Sequence, residues 1–279
     1  MIFSLEIPFG FHLHTSQHIT INFIAEGDDK MERLKSFFDE HRKIALAFSG
    51  GTDSAFLLYA ALYYKANVKA YFIKSQFQPN FEIEDAKSLA RELNVDLTII
   101  EVDILSFEDV RRNPKDRCYY CKKHLFSRIL EEAKKDGFDT VIDGTNASDD
   151  ISDRPGYKAL QEMKVLSPLK LCGITKSEVR RLSKEAGLFT AAKPAYACLA
   201  TRIESGKEIT NEALINTQES EAYLFSLGFS DFRVRNRGDN ALLELREQDL
   251  ELLMKNRVDI INTLKKKYKG VMLNLEVRG

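Results

Sequence analysis

The residues with the clearest chemical meaning form a short loop, Ser49-Gly50-Gly51-Thr52-Asp53-Ser54. The loop directly follows the apolar run Ile44 to Phe48 and opens a second apolar segment. Two glycines let backbone amides approach a ligand closely, and a helix that starts here adds a positive dipole end. We therefore predict a phosphate site. Gly50 and Gly51 would supply the cradle, Ser49 and Ser54 the hydroxyl donors, and Asp53 a carboxylate that orders the loop or binds Mg²⁺.

Two considerations limit how this loop would use phosphate. No Gly-Lys-Ser/Thr follows it, so it is not a Walker loop, and transfer of a terminal phosphoryl group is disfavoured. A glycine pair is also compatible with a simple turn capped by Asp53 or Ser54, but the flanking strand and helix patterns argue against that alternative. A different use of ATP is therefore predicted.

The cysteines form the second chemical pattern. Cys118 and Cys121 are separated by two residues, a spacing that lets two thiolates reach one metal. Cys198 lies close in sequence to the cationic Arg202, which would favour its thiolate. Cys172 follows an apolar stretch, and we expect it to be a buried core residue. Four cysteines in 279 residues are too few for a disulfide scaffold, so metal and redox roles both stay open.

The elements that must position these residues follow from hydrophobic periodicity. From Ile44 onward, short β-rich runs alternate with amphipathic helical segments, which predicts an α/β domain with a parallel sheet. After Gly206 the pattern changes to that of a smaller α+β domain. The predicted strands are 44–48, 68–73, 96–101, 140–143, 232–235, 241–245 and 271–277, and the predicted helices are 54–65, 82–93, 122–135, 210–227 and one that begins at 248. The two closely spaced cysteines would then lie in the loop before the helix at 122.

Composition narrows the class of protein. A 279-residue chain that is 44% hydrophobic and 30% charged is globular rather than fibrous or disordered. Its net charge of -1 supplies no strong positive field for nucleic acid, so no nucleic-acid partner is expected. No apolar run approaches a membrane span, and the first thirty residues lack the features of a secretory signal. We therefore expect no membrane association and a cytoplasmic location.

Taken together, these motifs resemble the LarE family, the pyridinium-3,5-biscarboxylic acid mononucleotide sulfurtransferases that serve the nickel-pincer nucleotide cofactor of lactate racemase. The loop at Ser49 resembles the PP-loop of ATP pyrophosphatases. The resemblance covers roughly Met31 to the C-terminus, and it predicts an N-terminal extension over 1–30, a PP-loop domain over 31–205 and a C-terminal substrate or oligomerisation domain over 206–279. The other matching motifs are 117–122, 143–146, 153–156, 167–169, the segment around Cys198, and 233–235.

The resemblance implies that a substrate carboxylate is adenylated by ATP, usually with Mg²⁺, that pyrophosphate leaves, and that sulfur is then delivered as a thiocarboxylate. It implies nucleotide binding by Ser49 to Ser54 and catalytic roles for Asp53, Cys198 and Arg202. Guanidinium groups bind carboxylate and phosphate bidentately, so Arg202, Arg233 and Arg235 would bind the anionic substrate. We expect a small-molecule nucleotide substrate and a homo-oligomer.

Family members differ in their sulfur source. Some sacrifice the cysteine that matches Cys198, whereas others are thought to use it with a Cys-x-x-Cys pair to hold a [4Fe-4S] cluster whose fourth iron binds sulfide. This sequence has Cys118, Cys121 and Cys198, which favours the cluster. A structural zinc site with Cys172 as fourth ligand, and three plain thiols, stay open as alternatives.

Other functions would share part of this pattern. A PP-loop tRNA thiolase combines the loop with cysteines, but it usually needs a basic surface that this chain's charge does not indicate. An ammonia-dependent amide ligase has the loop and no use for the cysteines. A nonenzymatic alternative is a nucleotide-binding iron-sulfur scaffold.

Overall fold

The computed structural model describes residues 29–149, 155–194 and 196–278 of the chain. They fall into two compact units, one that contains residues 29–194 and one that contains residues 196–278. Each unit has its own hydrophobic core. The division precedes the predicted boundary at 206, so Cys198 and Arg202 belong to the second unit. The predicted extension over 1–30 lies almost entirely outside the described residues.

The first unit alternates helices and strands along most of its length. Its elements are α1 (Asp29–Glu40), β1 (Lys43–Ala47), α2 (Thr52–Tyr63), β2 (Asn67–Lys74), α3 (Asn80–Glu92), β3 (Leu97–Glu101), α4 (Glu108–Arg111), α5 (Arg117–Lys135), β4 (Thr140–Ile142), α6 (Pro155–Glu162), α7 (Pro168–Leu171) and α8 (Lys176–Glu185). A short 3-10 helix lies between β3 and α4 at Ile104–Ser106, and another follows α8 at Phe189–Ala192.

Strand β1 lies inside the sheet of this unit. The strand order is β3-β2-β1-β4, and every neighbouring pair is parallel. The chain moves outward from β1 to β3 and then returns to place β4 on the other side of β1. Where the strand order reverses in this way, the loops at the carboxyl ends of the two strands on either side of the reversal leave a crevice that binds ligands in open α/β sheets. The loops after β1 and β4 therefore mark the place to look for a site.

Helix α2 is buried on nearly every side. All residues from Ala55 to Ala61 have zero exposure, and the side chains of α1, α8 and the sheet belong to the same apolar cluster. A helix that is apolar all round is stable only when it is covered by other elements. The start of α2, which follows the phosphate loop, is thereby anchored in the centre of the unit.

The predicted position of Cys118 and Cys121 in a loop before helix α5 is wrong. The helix begins at Arg117 rather than Lys122, so Cys118 and Cys121 lie in its first turns and not in a preceding loop. The apolar periodicity that marks this helix, with Leu125, Phe126, Ile129 and Ala133 buried, starts only after the cysteines. Cysteine and tyrosine have low helix propensity, so the sequence of the first turns gave no helical signal.

Helix α8 is held at its N-terminus by a capping box that was not among the predicted elements. The hydroxyl of Thr175 accepts from the Glu178 amide, and the Glu178 carboxylate accepts from the Thr175 amide at 2.7 Å. The other Glu178 oxygen pairs with Lys30 of α1 at 2.7 Å. Hydrogen bonds from Lys30 and Thr175 lower the Glu178 pKa to about 2. One carboxylate thus fixes the start of α8 and ties it to α1.

The second unit is a small mixed sheet covered by helices. Its elements are a 3-10 helix (Leu199–Arg202), α9 (Asn211–Ser226), β5 (Arg233–Arg237), β6 (Asn240–Glu244), a 3-10 helix (Glu247–Asp249), α10 (Leu250–Lys255), α11 (Arg257–Leu264) and β7 (Gly270–Leu273). Strands β5 and β6 are antiparallel, and β7 is parallel to β6. Leu224, Phe232, Val234, Leu243 and Ile260 are among the residues that fill its core.

Both parts of the predicted fold class are confirmed. The first unit is an α/β domain with a parallel sheet, and the second is a smaller α+β unit. Within the part of the chain that the structure describes, no helix has the length and apolar character needed to cross a membrane.

The capping carboxylate gives a test of stability. Glu178→Gln should lower the free energy of unfolding by about 1 kcal/mol at pH 7, since it removes the ion pair with Lys30 and the negative charge at the start of α8, while the amide oxygen can still accept from the Thr175 amide. Because the folded-state pKa lies below the unfolded value, this contribution is present above about pH 4.5 and is lost as the pH falls toward 2. Urea unfolding at several pH values measures it. Glu185→Gln, at the exposed end of the same helix, is the matched control, and equal effects of the two variants would contradict the assignment.

Candidate active site

The loop between β1 and α2 has the geometry of an anion cradle. Gly50 has a left-handed backbone with φ +69°, and a Cβ there would lie 3.2 Å from the Glu82 carbonyl oxygen. Gly51 is the N-cap of α2 and makes no side-chain cap to the first amides of the helix. The hydroxyls of Ser49 and Ser54 lie 3.0 Å apart and hold the two ends of the loop together. The first amides of α2 are therefore left for a ligand.

The loop after β4 lies directly against this cradle. A Cβ on Gly144 would be 2.9 Å from the backbone nitrogen of Ser54, so a larger residue would push the two loops apart. Beside it, the buried Asp143 carboxylate accepts hydrogen bonds of 2.6 Å from both Thr145 Oγ1 and Ser167 Oγ. These bonds fix the carboxylate at the carboxyl end of β4. The crevice expected from the strand order is thus built from both loops.

Asp53 lies in the first turn of α2 and is already paired. Its Oδ2 accepts from Lys176 Nζ at 2.6 Å, and its Oδ1 accepts from Asn146 Nδ2 at 3.4 Å. Lys176 is the first residue of α8 and was not a predicted site residue. The pattern Thr175-x-x-Glu178 is a capping-box signal that could have located this helix start and its lysine.

A second lysine outside the predicted set holds the other side of the cradle. Lys193 Nζ donates to the Gly50 carbonyl oxygen at 3.2 Å and pairs with Asp85 of α3 at 2.7 Å. Its side chain is only 15% exposed. Arg180 of α8 in turn donates to the Lys193 carbonyl oxygen at 2.9 Å. Helix α8 and the segment after it therefore place two cations beside the phosphate loop.

The two loops line a cavity of about 410 Å³. Ligand pockets typically have volumes of roughly 300 to 1,000 Å³, so this one suits a small molecule. Its wall is built by β1, the two loops and the N-terminal parts of α2, α5 and α6. The lining residues include Ser49, Asp53, Ser54, Cys118, Lys122, Asp143, Gly144, Thr145, Asp149, Gly156 and Tyr157.

The cysteine pair lies next to this cavity on α5. Cys118 is exposed and belongs to the cavity wall, and Cys121 is half-buried one turn further along the helix. Arg117 Nη2 lies 3.8 Å from Cys118 Sγ. Gly156, at the start of α6, has no side chain, and a Cβ there would lie 3.7 Å from that of Cys118. A thiol and the phosphate loop thus share one cavity.

Cys172 is buried in the core of the first unit, as predicted. Its exposure is 3%, and burial raises the pKa of its thiol to about 11. A neutral, covered thiol is unsuited to metal binding, which requires thiolate. Cys172 therefore gives no support to the zinc alternative.

Arg202 is a buried clamp on the Cys198 segment of the second unit. Its side chain is 0% exposed, and Nε and Nη2 donate to the Glu221 carboxylate at 2.9 and 3.2 Å. Nη1 donates to the carbonyl oxygens of Ala197 at 2.9 Å and Cys198 at 3.4 Å. Burial opposes the charge of Arg202, but hydrogen bonding and attraction to Glu221 outweigh it and raise the guanidinium pKa. A positioning role fits this geometry better than the predicted direct contact with substrate.

Arg233 and Arg235 of β5 surround the same segment. The guanidinium of Arg233 lies 5.4 Å from the centre of the Tyr196 ring, and that of Arg202 lies 4.7 Å from it. Burial and the charges of neighbouring arginines lower the Arg233 pKa. Arg235 donates to the Thr201 carbonyl oxygen at 2.7 Å. The second unit therefore places three guanidinium groups around the Cys198 segment, and each is paired with a carboxylate: Arg202 with Glu221, Arg233 with Asp231 and Arg235 with Glu244.

No metal-binding cluster is assembled in residues 29–149, 155–194 and 196–278. No group of three or more His, Cys, Asp or Glu side chains in these ranges is placed to hold a metal ion. Cys118 and Cys121 are brought together on α5. Cys198 belongs to the other unit.

Comparison with known proteins identifies the family. Residues 43–110 match the model of the family described as queuosine biosynthesis protein QueC. A pyridinium-3,5-bisthiocarboxylic acid mononucleotide synthase of Lactiplantibacillus plantarum is 34% identical over 220 residues, which cover 78% of this chain and 80% of the relative. The chain belongs to the LarE family. An uncharacterized protein of Methanocaldococcus jannaschii is 32% identical over 89% of this chain and 96% of the relative.

A more distant similarity is to a tRNA-modifying enzyme. A tRNA-specific 2-thiouridylase of a Thermotoga species is 26% identical over 54% of this chain and 54% of its own length. The LarE assignment confirms the predicted family and the prediction of an enzyme of the ATP-using PP-loop type. The roles of individual residues stay predictions.

The role of Arg202 in holding the Cys198 segment can be tested by changing its carboxylate partner, Glu221. Glu221→Gln should lower the free energy of unfolding by about 3 kcal/mol, because it leaves a buried guanidinium without its counter-charge. Urea unfolding measures this loss, and faster alkylation of Cys198 in the folded variant would report loosening of its segment. Glu219→Gln, on the same helix α9 at an exposed ion pair with Lys267, is the control and should cost less than about 1 kcal/mol. Unchanged stability and unchanged Cys198 alkylation in Glu221→Gln would contradict the clamp.

Proposed function

We propose that this LarE-family chain is an ATP-dependent sulfurtransferase of nickel-pincer nucleotide cofactor biosynthesis. It adenylates a carboxylate of pyridinium-3,5-biscarboxylic acid mononucleotide with release of pyrophosphate, and sulfur then displaces AMP to give a thiocarboxylate. The observation that carries the proposal is the shared cavity, in which the phosphate loop and the exposed Cys118 lie in one wall. The name of the Lactiplantibacillus plantarum relative supports the substrate class.

The residues of the cavity suit the adenylation step. The substrate carboxylate oxygen bonds to the α-phosphorus of ATP, and pyrophosphate leaves. The free amides at the start of α2 and the hydroxyls of Ser49 and Ser54 would bind phosphate oxygens. Lys176, which pairs with Asp53, and Lys193, which donates to the Gly50 carbonyl oxygen, would balance the negative charge of the phosphates. The predicted nucleotide-binding set from Ser49 to Ser54 fits this role.

The cavity also suits Mg²⁺. Magnesium in nucleotide sites is bound by one or two carboxylates together with phosphate oxygens and water. Asp53, Asp143 and Asp149 supply carboxylates in the cavity wall. When bound, Mg²⁺ would neutralise phosphate charge, and Asp53 is the residue that we propose to hold it.

We further propose that a [4Fe-4S] cluster on Cys118, Cys121 and Cys198 carries the sulfur. The support is local, since α5 presents two thiols one turn apart, with Cys118 exposed in the cavity wall. Three cysteine ligands leave one iron open, so a bound cluster would supply a position for exchangeable sulfide. Arg202 and Thr201 would hold the Cys198 segment in its conformation through the Cys198 carbonyl oxygen. Arg233 and Arg235 are the proposed contacts to the anionic mononucleotide.

A tRNA thiolase is the competing function, and the similarity to a tRNA-specific 2-thiouridylase favours considering it. That similarity covers only 54% of this chain, and the net charge of -1 does not favour an RNA surface. A small-molecule nucleotide substrate is therefore preferred. A homo-oligomer and a cytoplasmic location stay predictions.

Adenylation is tested by its products. Asp53→Asn should lower substrate-dependent pyrophosphate release by about 100-fold, the usual scale for loss of one preorganised charge partner at a transition state. Pyrophosphate and AMP are measured with the biscarboxylate mononucleotide present and absent. Asp139→Asn, an exposed change outside the cavity, should keep full activity. Formation of ADP and orthophosphate instead would reject the PP-loop chemistry.

The sulfur carrier is tested by iron and sulfide analysis of anaerobically purified protein. A cluster predicts about four irons per chain. Cys118→Ser, Cys121→Ser and Cys198→Ser should each lower the iron content, whereas Cys172→Ser should not, because that thiol is buried in the core. Mass spectrometry after turnover distinguishes the alternative, since conversion of Cys198 to dehydroalanine in step with product would reject the cluster and support a sacrificial cysteine.

A further inference from the structure

Lys176 forms an ion pair with Asp53, the carboxylate in the cavity wall that we propose to hold Mg²⁺. The ammonium nitrogen lies 2.6 Å from Asp53 Oδ2, and the Asn146 amide bonds the other oxygen at 3.4 Å. The carboxylate that suits Mg²⁺ is therefore paired with the ammonium group of a lysine side chain. The Lys176 and Asp53 side chains are 33% and 24% exposed, so the pair is open to exchange.

Lys176 reaches Asp53 from a firmly held backbone. Its amide donates to Ser148 Oγ at 3.0 Å, and the capping box of Thr175 and Glu178 fixes the start of α8. The side chain above this anchor is a flexible four-carbon stem. The backbone of Lys176 is thus fixed beside the cavity while its ammonium group is free to change partners.

A divalent cation and an ammonium compete when they need the same carboxylate oxygens. Two positive groups at one carboxylate repel each other, so binding of either weakens binding of the other by the same factor. If a metal takes Asp53, the ammonium of Lys176 is displaced from its partner. The nearest strong acceptors would then be the phosphate oxygens above the loop at Ser49 to Ser54.

We propose that Lys176 is the internal counter-ion of Asp53, which keeps divalent metal off the carboxylate until nucleotide arrives and then binds the departing pyrophosphate. The proposal rests on the proposed adenylation, because it needs a metal-bound triphosphate at this loop. It gives Lys176 a contact to the leaving group. No covalent bond to Lys176 forms or breaks in this exchange.

The first test uses Mn²⁺ alone, without nucleotide, and follows free Mn²⁺ by electron paramagnetic resonance. Lys176→Met should bind Mn²⁺ about tenfold more tightly than the parent protein, because the competing charge is gone. Lys176→Arg keeps the charge and should stay near the parent affinity. Adding Asp53→Asn to Lys176→Met should abolish the gained affinity, which locates the metal on that carboxylate. Lys184→Met, exposed on the same helix, is the matched control.

The second test measures binding of inorganic pyrophosphate in the presence of Mg²⁺ by calorimetry. Lys176→Met should weaken this binding about tenfold, the loss of one charge-assisted contact. Lys176→Arg and Lys184→Met should retain it. Thermal unfolding confirms that each variant is folded, and Lys176→Gln replaces Lys176→Met if the latter is not.

Unchanged Mn²⁺ affinity, or unchanged pyrophosphate affinity, in a folded Lys176→Met or Lys176→Gln protein would overturn the proposal. Neither measurement involves turnover. Failure of the Lys176 proposal is therefore distinguishable from failure of the proposed function. The latter would appear as ADP and orthophosphate among the products of the parent enzyme.

Discussion

The candidate site depends on the close approach of two backbones. The loop after β4 comes so near the start of α2 that a Cβ on Gly144 would lie 2.9 Å from the Ser54 nitrogen. This approach is possible because β1 and β4 are neighbours in the sheet, although the four helices α2 to α5 and the two strands β2 and β3 separate the phosphate loop from β4 in the sequence. With α2 buried on nearly every side, neither loop has room to withdraw. The strand order therefore places the two backbones that form the cavity next to each other.

The Arg202–Glu221 and Lys176–Asp53 ion pairs differ in what burial allows them to do. Arg202 and Glu221 have side chains that are 0% and 2% exposed, so neither can leave its partner without a large desolvation cost. Lys176 and Asp53 are partly exposed, and pairs in such surroundings are weak enough to separate. The first pair is suited to holding a segment in one conformation, and the second to changing partners when charged ligands enter. Burial thus assigns a static role to one pair and an exchangeable role to the other.

Sequence patterns predicted the parts of the molecule that depend on local repetition. The strands around β1, the phosphate loop and the buried Cys172 all follow from apolar runs and from residue types with few alternatives. The start of α5 did not follow, because the first turns around Cys118 are polar and have low helix propensity. Arg202 was predicted to bind substrate, and nothing local in the sequence shows that Glu221 lies 2.9 Å away in the fold. Lys176 was missed for the same reason, as its partner Asp53 is distant in sequence.

The burial of Cys172 makes this thiol an internal reporter of unfolding. Its exposure is 3%, and its pKa of about 11 keeps it protonated at neutral pH, whereas Cys118 is open to solvent. A thiol reagent added to the native protein would therefore modify Cys118 quickly and reach Cys172 only when the core that contains α2 opens. The slow phase of such labelling gives the opening free energy of that core directly, without denaturant. Cys118 thus reports on the cavity through fast labelling, and Cys172 reports on the stability of the surrounding core through slow labelling.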